Sequence, residues 1–176
     1  MTEKQKQYIV PGVIEDTPIQ DIPGIYTAAA QAFEEWGTKT VKTRIGYFRK
    51  LRLAIVEELE QTTGVISSDT GKVPMDALVS DIMPVLDFLK SLEKEAEGIL
   101  GPQKAKTPLV LIGKKSSVEY IPRGTVLIIS PWNYPFQLTM IPILSALIAG
   151  NCVISKPSEV TPQVGLFMKR LFEKAG

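Results

Sequence analysis

Two short runs do most to narrow what this chain can become: Thr125-Val126-Leu127-Ile128-Ile129-Ser130 and Asn151-Cys152-Val153-Ile154-Ser155. Each is β-branched or aliphatic without polar alternation, the pattern of a strand buried on both faces, as in a parallel sheet. Between them, Phe136 to Ala149 has helical length and apolar content, and Gly150 ends it. Strand, helix and strand together make a unit of about thirty residues, the smallest that returns a chain to lie parallel to itself.

The consequence is geometric. Parallel strands point the same way, so the residues just past their carboxyl ends share one rim, where ligands of open parallel sheets bind. That rim carries Asn133, inside Ser130-Pro131-Trp132-Asn133-Tyr134-Pro135, and Lys156-Pro157-Ser158-Glu159. An asparagine N–H can be aimed at an oxygen that gains negative charge during attack on a carbonyl, but only if it is held still. Pro131 and Pro135 fix backbone angles on either side of it, and Trp132 and Tyr134 are large enough to wedge the turn. The plainer alternative is that Asn133 bonds its own turn while Trp132 fills core. Lys156 and Glu159, flanking a rigid proline, offer a donor and an acceptor for the two hydroxyls of a ribose; the alternative is a surface ion pair at a helix start.

The rest of the chain reads as support. An irregular arm with Pro11, Pro18 and Pro23 leads into a helix near 25–36, stopped by Gly37. Thr43 is placed to cap a second helix running to about Gln61, with Ile45, Phe48, Leu51, Ile55 and Leu59 on one core face. The basic run 41–52 reads as a wet helix face rather than a nucleic-acid surface. Pro84 kinks or begins a later helix, in which Leu86, Leu89, Glu93 and Ala96 follow at helical spacing and Lys94-Glu95-Ala96-Glu97 is solvated. Pro108-Leu109-Val110-Leu111-Ile112-Gly113 and Ser117-Val118-Glu119-Tyr120-Ile121-Pro122 predict two strands of a hairpin. Thr161-Pro162 predicts a capped helix start, followed by a stripe of Val164, Phe167, Met168, Leu171 and Phe172.

Composition closes several doors. With no histidine, these residues hold no Ser-His-Asp triad and no imidazole metal site, and no metal is expected. Lys+Arg 20 against Asp+Glu 19 gives a net charge of +1, so no global field draws the chain to nucleic acid or an anionic membrane. The longest apolar run, 138–150, is shorter than the about 20 residues a membrane span needs. A single cysteine and no charged-then-apolar leader make a reducing, cytoplasmic setting the expectation. Neither a Gly-x-Gly-x-x-Gly loop nor a phosphate-binding loop occurs: position 108, where the latter needs glycine, is Pro108.

Two segments, PRGTVLIISPWNYPFQL and ALIAGNCVISKPSEVTP, closely resemble the N-terminal signature segments of the aldehyde dehydrogenase superfamily, with PWNYP and KPSE nearest its class 3-like branch. The resemblance covers residues from about 20 to 176. It implies an α/β fold: N-terminal helices (1–104), a hairpin similar to the family's oligomerisation element (105–122), and the start of a parallel Rossmann-like sheet (123–176). It implies that Asn133 holds the oxyanion of a thiohemiacetal, that Lys156 and Glu159 bind the adenosine ribose of NAD with Ser158 also cofactor-binding, and that Ile129, Ser130, Pro131 and Trp132 line the cofactor cleft. The family binds its dinucleotide without a Gly-x-Gly-x-x-Gly loop.

The family's nucleophilic cysteine and general-base glutamate lie downstream of the second signature and are not among these residues. Cys152 occupies a strand position and reads as a small buried apolar residue. Two apolar strands alone leave unpaired edges, so the chain is expected to be the N-terminal part of a longer enzyme, inactive by itself. The function expected is NAD-dependent, or with NADP possible, oxidation of a small aldehyde to a carboxylate through a cysteine thioester, in a homo-oligomer completed by the remainder of the same polypeptide. The alternative is a non-catalytic nucleotide-binding or scaffold module of the same fold.

Overall fold

The computed structural model describes residues 14–176. Of the irregular arm, Pro11 lies outside the described residues; 14–18 carry no regular structure, and a 3₁₀ turn at Ile19–Asp21 leads into helix α1, Ile22–Trp36. Helices α2 (Val41–Glu57) and α3 (Leu59–Thr70) follow, with Glu58 at their junction. The cap of α2 is Thr40 rather than Thr43: the Thr40 hydroxyl accepts from the Thr43 amide at 3.1 Å, which makes Thr43 the third helical residue. The expected end near Gln61 moves back to Glu57, and what reads as one helix is two.

A continuous helical stretch then comprises α4 (Pro74–Asp76), a π-helical segment (Ala77–Ile82) and α5 (Met83–Leu100). Pro84 falls in the first turn of α5, where its missing N–H is tolerated. The wider turn just before it, in which Met83 N–H donates to the Leu78 carbonyl, absorbs the change of helical register. Strands β1 (Gln103–Ala105) and β2 (Ser116–Val118) form an antiparallel pair, so a hairpin is present but its first strand lies earlier than expected. The Pro108–Gly113 stretch is a loop with a 3₁₀ turn at Leu109–Leu111, because the Thr107 hydroxyl donates to the Ser116 hydroxyl and accepts from the Ser116 amide, and the intervening residues bulge outward.

Strand β3 (Thr125–Ile129) pairs in parallel with β4 (Cys152–Lys156), from Thr125 opposite Cys152 to Ile129 opposite Lys156. Helix α6 (Gln137–Ile148) makes the crossover, Gly150 at φ 92° turns the chain back, and α7 (Pro162–Ala175) follows. Burial on both strand faces is not what the structure shows: Leu127 and Ile129 are 61% and 69% exposed, because α1 and α6, which pack on both strands, leave that part of the sheet uncovered.

The core lies between the helices. Ile45, Phe48, Leu51 and Ile55 of α2 meet Val85 and Leu89 of α5 and Val164, Phe167, Met168 and Leu171 of α7, as the stripes predict. Arg44 departs from the wet face assigned to its segment. Its guanidinium is buried and donates to the carbonyls of Ile148 and Lys39, capping the C-terminal end of α6, and burial pulls its pKa down. Thr161 does not cap α7 either; its hydroxyl is buried without a partner among the described residues, and Asp69 of α3 takes over, accepting from the Val164 amide at 2.9 Å. Among the described residues no helix is long and apolar enough to cross a membrane.

Candidate active site

The parallel register decides where the two signature turns meet. Because Ile129 and Lys156 are register partners at the carboxyl ends of β3 and β4, the chain leaves both strands at one rim. A further bond, from the Ser130 amide to the Lys156 carbonyl at 3.2 Å, zips the two turns together one residue beyond the ladder.

Around that rim, Asn133 is exposed and its side chain makes no hydrogen bond within the described residues, so its amide is not spent on its own turn. Its neighbours are fixed. Pro135 and Phe136 are buried, and Tyr134 stacks its ring under the Lys72 ammonium, 3.8 Å from Nζ to centroid. Trp132 is exposed rather than core, as is Pro131. Ser130 is buried, and its hydroxyl has no partner among the described residues.

On the neighbouring turn, Lys156 Nζ and Glu159 Oε2 are 2.7 Å apart on the open surface. The hydrogen bond from Lys156 holds the Glu159 carboxyl below its ordinary range. Ser158 is buried, and its hydroxyl accepts from the Val160 amide within the turn. Pro157 packs on α7 against Gly165, where a Cβ would lie 2.5 Å from the proline Cγ.

A model of the aldehyde dehydrogenase family matches residues 10–176. The chain belongs to the aldehyde dehydrogenase family. It is 38% identical over 147 residues to 4,4'-diapolycopene aldehyde oxidase of Methylomonas sp, an alignment covering 83% of this chain and 28% of that protein. It is 37% identical over 142 residues to 4,4'-diaponeurosporen-aldehyde dehydrogenase of Staphylococcus aureus, covering 81% of this chain and 31% of the relative. Among solved structures, substrate-bound AldH of Staphylococcus aureus superposes with a TM-score of 0.82 at 35% identity, covering 88% of this chain and 34% of that one. An aldehyde dehydrogenase of Brucella melitensis gives 0.86 at 28% identity, covering 95% and 34%. The chain thus spans about a third or less of the length of the relatives it matches.

For an aldehyde dehydrogenase, Cys152 is in the wrong place to be a nucleophile. It is buried in β4, and burial pushes its thiol pKa up, whereas an attacking cysteine needs the thiolate. Among the described residues no group of three or more Cys, Asp or Glu side chains is placed to hold a metal ion.

Three residues that brace the site escape a reading of the sequence. Asn151 is buried in the turn between α6 and β4; its Oδ1 accepts from the Arg123 and Gly124 amides at 2.6 and 3.1 Å and its Nδ2 donates to the Ala146 carbonyl, which ties the starts of β3 and β4 together. Asp81 and Lys72 lie under the Asn133 turn. Only Asn151 left a signal: it directly follows the helix-stopping Gly150, where a side-chain amide bonds nearby backbone.

Proposed function

We propose that these residues supply the oxyanion-holding amide and part of the dinucleotide cleft of an enzyme that oxidises an aldehyde to a carboxylate. The observation that carries this reading is the shared rim, with Asn133 exposed and unengaged beside the end of a strand paired to Lys156. The proposed mechanism also calls on a cysteine thiolate and a general-base glutamate, which the family implies and which none of the described residues is assigned to supply. The thiolate adds to the aldehyde carbon, negative charge gathers on the carbonyl oxygen, and the Asn133 N–H is positioned to stabilise it. Loss of hydride leaves a thioester, which water cleaves to the carboxylate and the free thiolate.

The rim also suits a nicotinamide dinucleotide, which when bound supplies the hydride acceptor. The Ser130 hydroxyl is a buried polar group lacking a partner among the described residues, and Lys156 with Glu159 presents a cation and an anion to a vicinal diol. The Glu159 carboxylate disfavours a 2′-phosphate, so the cofactor proposed is NAD in preference to NADP. The uncovered strand face at Leu127 and Ile129 supports a further packing partner over that part of the sheet. The exposed Leu109, Val110 and Ile112 of the hairpin loop support a subunit contact in a homo-oligomer.

The test is turnover by the full-length polypeptide with a panel of aldehydes, followed as cofactor reduction. Asn133→Ala is expected to lower kcat by roughly a hundred- to a thousandfold. An enzyme indifferent to that change, or one that reduces no cofactor with any aldehyde, overturns the reading.

A further inference from the structure

We propose that Lys72 and Asp81 are positioning residues for Asn133: a buried ion pair that clamps the turn behind the amide and keeps it aimed at the reacting oxygen. This rests on the oxyanion role proposed for Asn133.

Asp81 sits on the π-helical segment and is 0% exposed, so it contacts no substrate. Its Oδ1 accepts from the amides of Phe136 and Gln137 at 3.2 and 3.3 Å, and its Oδ2 lies 2.7 Å from Lys72 Nζ. The same ammonium stands 3.8 Å from the centroid of the Tyr134 ring. Of the four residues that follow Asn133, three are therefore held by one ion pair, and the fourth, Pro135, has no amide proton to offer.

Burying a carboxylate and an ammonium is expensive, and such pairs rarely stabilise a fold more than apolar side chains of the same volume would. What the pair does supply is direction. Helix α6 has no side-chain cap from its own N-terminal residues, so the orphan amides at its start have Asp81 as their acceptor. On the other side of Asn133, the Ser130 amide is pinned to the Lys156 carbonyl. Asn133 thus hangs between two anchored points. A catalytic donor gains from this because misplacement by about 1 Å costs about a hundredfold in rate.

The full-length enzyme carries the test. Lys72→Met is expected to lower kcat by about ten- to a hundredfold with the KM for aldehyde moved less than about twofold, and Lys72→Arg to recover most of the loss. In an Asn133→Ala background the same Lys72→Met change should cost less than about twofold, because there is no longer a donor to aim. Losses that multiply in the double variant, or an effect confined to KM, overturn the proposal. Should Lys72→Met not fold, Lys72→Gln, which keeps a donor to Asp81 without the charge, is read by the same criteria. If the wild-type protein oxidises no aldehyde, the functional reading fails by itself, and amide hydrogen exchange then judges the clamp: Phe136 and Gln137 should exchange at least about tenfold faster in Lys72→Met while Leu51 in the core is unchanged. Equal exchange in the two proteins overturns it.

Discussion

The Asp69 carboxylate, near the end of α3, accepts a hydrogen bond from the Val164 amide 2.9 Å away in the first turn of α7. One helix thereby caps another across 95 residues of sequence, and α7, which carries Gly165 beneath the Lys156 turn, is seated on α3. The geometry of the rim depends on such long-range caps as much as on the strands.

Asp69→Ala removes the acceptor and is expected to cost about 1 kcal/mol in urea unfolding, with Asp69→Asn costing less. Burial raises the Asp69 pKa against the pull of its backbone hydrogen bonds. Folding therefore takes up a proton at this residue between the ordinary carboxylate value and the raised folded one, and by itself Asp69 makes stability fall as pH rises through that window. Asp69→Asn should erase that component of the slope; an unchanged pH profile would show that Asp69 does not titrate with folding.

Glu58 acts in the opposite sense. Burial pushes its carboxyl up, but hydrogen bonds from Lys174 and Arg170 outweigh this and hold its pKa below the ordinary carboxylate value. Its contribution is complete above the ordinary carboxylate range and is lost as pH falls through the lowered folded value. Glu58→Gln should lower stability near neutral pH by up to about 1 kcal/mol and make acid unfolding shallower, as measured by denaturant titration at about pH 7 and about pH 3.

Gly165→Ala would place a methyl group 2.5 Å from the Pro157 Cγ. Proline cannot swing aside as a flexible chain end does, so the Lys156–Glu159 turn must move, at a cost typical of overpacking, about 1–3 kcal/mol. In the full-length enzyme the KM for the nicotinamide cofactor should rise while that for the aldehyde stays in place. Steady-state kinetics with each varied in turn separates the two.

Glu159→Gln removes the carboxylate that faces solvent beside Lys156. The ratio of kcat/KM with NAD to that with NADP is expected to fall several-fold, because the repulsion of a 2′-phosphate goes while Lys156 remains. A ratio that stays fixed would take Glu159 out of cofactor choice.

The architecture around the site was readable because it rests on local periodicity. Helix stripes such as Val164, Phe167, Met168 and Leu171 repeat at the helical period, and the two aliphatic runs with a helix between them admit one economical connection, the parallel crossover observed in β3 and β4. From that crossover alone, Asn133 and Lys156 were bound to leave the sheet at one rim. The hairpin was found but its first strand misplaced, since a loop rich in aliphatic residues and an exposed strand have the same composition; Val110 is 90% exposed.

By itself, the sequence determined the strand–helix–strand crossover, the apolar stripes of the main helices, and the rim on which the signature turns emerge, because neighbours within a few residues decide those matters. The tertiary structure alone decided what holds the rim in place. Arg44 reads as part of a wet helix face and nothing local in the sequence marks Asp69 or Asp81, yet the three satisfy backbone groups 104, 95 and 55 residues away. The physical reason is that a helix end needs a partner of the right polarity and reach but of no particular address in the chain, so its cap becomes visible only when packing brings the two together.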